Sequence, residues 1–196
     1  MSSIVEICNI GLQALGVDRM AAYPETTTKN GREMSFAYEP TKLETLRRHN
    51  WSFARKQVQL SADSTAPLFD FAHYFTLPAD CVRILPPADH SLDWRVEGRK
   101  IATDWAAPLD LLYIRDVVDP NEMDSIFRQV LGLNLALKTC KRLTGSNQLK
   151  AEINAELKDL LAEARRVNAI ENTSDEMPED TWITVRSGSV TNVPRA

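Results

Sequence analysis

The chain has few of the residues on which small-molecule chemistry usually rests. Its 196 residues hold 7 glycines, 3 histidines and 3 cysteines. With so little glycine it has no phosphate-cradling loop and no dinucleotide fingerprint, and no serine stands in a nucleophile elbow. His49, His73 and His90 have no second histidine or cysteine at metal-ligand spacing, which argues against a structural zinc and a metallohydrolase. Cys8, Cys81 and Cys140 are odd in number, far apart and set among apolar neighbours, so they read as reduced core residues of a cytosolic compartment. Positive charge is not in excess either. Lys plus Arg is 23 against 27 Asp plus Glu, a net −4, the wrong overall sign for affinity built on neutralising phosphates. No apolar run reaches bilayer length. The opening SSIVEICNIGLQALG lacks a basic leader and reads as neither a signal peptide nor a membrane anchor.

What is present is a pattern of helices. Ser3 and Glu6 form a capping box, Ile4, Ile7, Cys8, Leu12 and Leu15 share a face, and Gly16 ends the first helix. A second pattern runs from about Arg32 to His49, with Met34, Ala37, Tyr38, Leu43 and Leu46 apolar, and Pro40 is expected to kink or restart it. Asp119-Pro120-Asn121-Glu122 announces a third helix to about Leu143, apolar around much of its girth and hence central. After Thr144-Gly-Ser-Asn147 a last helix carries Leu149, Ile153, Leu157, Leu160, Leu161, Ala164 and Val167, and packs back as an antiparallel hairpin.

Between the second and third helices the texture changes to short β-prone pieces broken by Pro and Asp. Trp94 to Thr103 carries Glu-Gly-Arg between two alternating runs, a hairpin signal. Phe75-Thr-Leu-Pro, Cys81-Val-Arg-Ile-Leu and Leu111-Leu-Tyr-Ile-Arg115 add strands. The expected fold class is α+β, mainly α: an antiparallel helical bundle with a small antiparallel β-sheet inserted between the second and third helices, and an extended C-terminal arm. The expected division is a domain over 1–168 (helices about 3–15, 32–49, 120–143 and 147–168; sheet region about 51–115) and an arm over 169–196. In the arm, acidic residues and Pro178 precede a β-prone island. Trp182, Ile183, Val185 and Arg186 are its candidate partner-binding residues, ordering on a partner as an added strand or apolar plug.

Asp116, Asp119, Glu122 and Asp124 could be offered as acid–base carboxylates, but they stand where a helix N-terminus favours negative charge. A hydrolase using Asp116 or Glu122 would lack a visible nucleophile or base partner. Arg47-Arg48-His49 ends a helix, where cations meet the negative end of the dipole. The competing readings are a basic surface facing an acidic partner, or a small nucleic-acid-binding module using Arg47, Arg48, Arg55 and Lys56 with Trp51. Trp51 and Phe53 are expected to pack beneath the helices rather than stack on bases.

The order of the motifs carries more than any one of them. IVEICNIGLQALG is followed by a helix with Tyr38 and Leu46, then by His-Asn-Trp51-Ser-Phe53-Ala54, then by FAHYFTLPADCVRIL. In that order they resemble the head-to-tail adaptor of short-tailed phages, the tail tubular protein A or gatekeeper family. NWSFARKQVQL and the stretch from Tyr74 to Arg83 are the most specific pieces, and the resemblance runs from residue 2 to about 168. Pro40 and the tail after Asn168 depart from it. The resemblance implies a non-enzymatic virion protein at the head–tail junction, present in the host cytoplasm during assembly. It implies a homo-oligomeric, dodecameric ring beneath the portal protein, a continuation of the DNA channel, and a platform for a tail nozzle like tail tubular protein B. Phage DNA would pass without sequence-specific binding, and no cofactor or membrane is implied. Trp51 and Phe53 would pack where helices meet sheet, with Arg47, Arg48, Arg55 and Lys56 as a basic edge facing channel or interface.

Overall fold

The computed structural model describes residues 3–85 and 93–170. Helix α1 (Ile4–Ala14) starts where the Ser3 hydroxyl accepts the Glu6 amide at 3.1 Å, and ends ahead of Gly16, whose φ of +66° suits a residue without Cβ. Helix α2 (Lys29–Arg48) begins earlier than the expected Arg32, because the Thr28 hydroxyl accepts the Gly31 amide at 3.0 Å. It runs unbroken through Pro40, so the expected restart does not occur.

Helix α3 (Ser125–Leu143) does not begin at Pro120. Pro120–Glu122 is a separate 3-10 turn capped by Asp119, and Asp124 caps α3 by accepting the Ile126 amide at 2.6 Å. Two consecutive caps of similar strength divide what the sequence joins. Helix α4 (Asn147–Ile170) returns along α3 after a tight loop. As its all-round apolar pattern indicates, α3 is the central helix: it packs on α1, α2 and α4, and Phe127, Val130, Leu131, Leu135 and Ala136 are fully buried. Cys8 and Cys140 belong to this core, whereas Cys81 is only half buried; all three are free thiols.

The expectation of a helical bundle with one inserted sheet is corrected by the strand pairing. Among the described residues there are two three-stranded antiparallel sheets. β1 (Arg55–Leu60), β6 (Leu109–Arg115) and β3 (Cys81–Ile84) form one in the order β1-β6-β3. β2 (His73–Thr76), β5 (Lys100–Thr103) and β4 (Trp94–Glu97) form the other, β2-β5-β4, with Gly98 at φ +62° turning the expected hairpin. The reason lies in β6. Leu109, Leu111 and Tyr113 point into a second core with Phe75 and Ile101 of the other sheet, while Ile114 points into the helical core. A strand apolar on both faces needs cover on both. The helices cover one face and the β2-β5-β4 sheet the other, so the molecule has two cores and β6 is their shared wall.

Lys42 is a charge buried in the helical layer. It stands on α2 with a 3% exposed side chain and holds Asp116, just beyond β6, and Glu39, each at 2.9 Å. Asp116 is therefore an ion-pair partner that ties helix to sheet. Glu122 likewise pairs with Arg115 at 2.6 Å. Both sit in ion pairs rather than simply complementing a helix N-terminus.

Candidate functional site

The stretch from Arg47 to Lys56 passes from the end of α2, through a 3-10 turn at Ser52–Ala54, into β1. Its aromatic residues are structural. Trp51 is 3% exposed, its indole donates to the Thr45 carbonyl at 3.0 Å, and its ring stands edge-on to Phe127 at 4.9 Å. Phe53 meets Phe127 at the same separation. With its N–H used and its faces covered, Trp51 offers no platform to a base.

Asn168, in the last turn of α4, holds the junction. Its Oδ1 accepts from the Ser52 amide at 3.0 Å and from the Ser52 hydroxyl at 2.5 Å, and its Nδ2 donates to the Asn50 carbonyl at 2.8 Å. Nδ2 also lies 3.3 Å from Nε2 of His49. Since the amide nitrogen can only donate, His49 must accept, which requires an unprotonated Nε2. Burial first, then the charges of Arg165, Arg83 and Arg55, hold the His49 pKa below its ordinary value.

These three arginines and Arg47 come from four elements. The Arg47 guanidinium, at the end of α2, donates to the Val82 carbonyl on β3 at 2.7 Å. Arg55 and Arg83 flank Ile114 in register across β1-β6-β3, so they share the sheet face that looks toward the helices. Arg165 lies one turn before Asn168 on α4. The Arg83 pKa is lowered by burial and by Arg47 beside it. Arg55, Arg83 and Arg165 therefore bear on His49, and Arg47 stands beside Arg83. The other two residues of the expected basic edge are neutralised: Arg48 pairs with Glu44, which also holds Lys138, and Lys56 pairs with Asp80 at 2.8 Å. Asp80 in turn accepts from the Tyr113 hydroxyl at 2.9 Å.

Arg83 and Arg165 are the members that sequence reasoning did not single out. Arg83 lies inside the Tyr74–Arg83 motif, but only the pairing of β3 with β6 places it opposite Arg55. Nothing in the sequence near Arg165 points to His49. Trp182, Ile183, Val185 and Arg186 lie outside the described residues.

The cleft beside this junction, lined by Trp51, Ser52, Phe53 and Asn168 among others, holds about 50 Å³, room for a water or two and no organic substrate. Among the described residues no group of three His, Cys, Asp or Glu is placed to hold a metal ion, and no helix is long and apolar enough to cross a membrane. Compared with known protein families and with curated proteins, the chain finds no match in either.

Proposed function

We propose that the chain is a structural virion protein, a head-to-tail connector that forms a ring beneath the portal, extends the DNA channel and offers the docking platform for the tail nozzle. The motif order from residue 2 to about 168 suggests it. The structural observation that supports it is an α2 with two apolar faces. Met34, Tyr38 and Leu46 face the core, while Phe36, Pro40 and Leu43 stand on the opposite side, Phe36 being 84% exposed. Val118 and Phe69 are also largely exposed. Exposed apolar stripes of this kind mark proteins whose work lies in their contacts. The test is co-assembly with the cognate portal protein, read as the mass of the complex. A closed portal complex is expected; a protein that ignores the portal contradicts the reading.

A second reading, a nucleic-acid-binding module, is favoured by the proximity of Arg47, Arg55, Arg83 and Arg165, although Trp51, Arg48 and Lys56 no longer belong to it. It expects DNA affinity that falls steeply with salt and collapses on charge reversal at Arg83 and Arg165. Affinity indifferent to both would rule it out.

A further inference from the structure

The outward face of α2 has a counterpart on the far side of the molecule. At 100° per residue, Phe36, Pro40 and Leu43 fall in one stripe, and the exposed Lys29, Arg32 and Arg47 fall beside or at the ends of it. Across the molecule, α1 and α4 stand apart over α3 and leave an open groove of about 660 Å³. Its floor is apolar, with Ile10, Ala14, Leu133 and Leu160, and its α4 rim carries the exposed Glu156, Asp159 and Glu163. Among the described residues no cation pairs with these three carboxylates.

Stripe and groove lie on opposite flanks. Helix α3 meets α2 through Asn134, Lys138 and Arg142, bonded to Thr45, Glu44 and Glu33 respectively. It lines the groove through Gln129 and Leu133, which stand on the other side of its axis. An apolar stripe with basic ends, beside which the exposed Glu39 is held by Lys42, and an apolar groove with an acidic rim on the other side are complementary in polarity and in charge.

We propose that the α2 stripe of one copy seats in the α1–α3–α4 groove of the next. Because the two surfaces differ and lie on opposite flanks, the contact is head-to-tail, the arrangement that propagates into a ring when its rotation closes. Phe36 and Leu43 supply the buried anchors, and Glu156, Asp159 and Glu163, spread over about 11 Å of α4, meet Lys29 and Arg32 at one end of the stripe. The occupant is a second copy of this chain, since the chain itself carries the complementary surface. The pairing deepens the connector reading by naming the surfaces that join its subunits.

The experiment is sedimentation of the full chain, alone, from micromolar to millimolar concentration. Two variants accompany it: Phe36→Glu with Leu43→Glu, which spoils the stripe, and Asp159→Lys with Glu163→Lys, which spoils the rim. All four positions are exposed, so each variant is expected to fold, with circular dichroism as the check. The wild type self-associates, each variant alone associates at least about tenfold more weakly, and an equimolar mixture forms a heterodimer through its one intact stripe and one intact groove and grows no further. A wild type monomeric throughout, a variant that assembles as the wild type does, or folded variants that stay apart on mixing would each overturn the proposal. Portal binding by a chain that fails this test removes the pairing alone, and self-association without portal affinity removes the connector reading alone.

Discussion

Gly11 on α1 and Gly132 on α3 face each other so closely that a Cβ on Gly11 would stand 2.7 Å from the Gly132 carbonyl oxygen. A Cβ on Gly132 would stand equally close to Ile10 Cγ2. The pair sets the approach of α1 to the central helix and thereby the width of the groove between α1 and α4.

Gly11→Ala is therefore destabilising even though alanine favours helix. The obstructing atom is backbone, so the helices must part, and overpacking outweighs the propensity gain by about 1–2 kcal/mol. Thermal unfolding is expected to fall by several degrees; an unchanged or raised Tm would show that α1 can shift freely.

Asn168→Ala removes the bonds that tie the last turn of α4 to residues 49–52. At about 1 kcal/mol net per bond the four bonds sum to roughly 4 kcal/mol, concentrated at one end of the helix. Hydrogen exchange is expected to quicken in the last turns of α4 and at Ser52 while the α1–α3 contact stays protected.

His49 makes the same junction sensitive to pH. Its folded pKa lies below the ordinary 6.5, so as pH falls the unfolded chain takes up a proton first. The contribution is constant above about pH 6.5, declines as pH drops from there to the folded pKa, and is constant again below it. Tm measured against pH should fall across that window, and His49→Gln should flatten the fall. A wild-type profile without the step would refute the neutral histidine at the clamp.

Lys42→Ala leaves Asp116 and Glu39 facing each other without their cation and is expected to cost about 3 kcal/mol. Lys42→Met keeps the stem and should cost less. Equal losses in denaturant unfolding would mean that the charge, and not packing of the stem, holds α2 to the loop after β6.

The helices were legible because their signals are local: Ser3 with Glu6 starts α1, Gly16 ends it, and the apolar faces of α3 and α4 follow the helical period. The Glu97–Lys100 turn was legible for the same reason. The number of sheets was not, since β2, β3, β4 and β5 are four residues each and nothing within them says which partner they take. The clue lay in β6, whose Leu111, Tyr113 and Ile114 are apolar on both parities and announce two covers. Of the candidate site, Arg47 and Arg55 were visible in one stretch. Arg83 and Arg165 join them only through register and through the Asn168 clamp, which are long-range facts. Trp51 was correctly placed beneath the helices, because its neighbours Phe53 and Ala54 left an apolar junction to fill.

The proposed connector role rests on binding to a portal protein. Native mass spectrometry of the purified full chain, alone and after mixing with its cognate portal protein, tests it most directly. A single large species containing the portal and many copies of the chain is expected, lost when Phe36 and Leu43 are both changed to Glu. A chain whose mass is unchanged by the portal at every ratio would contradict it.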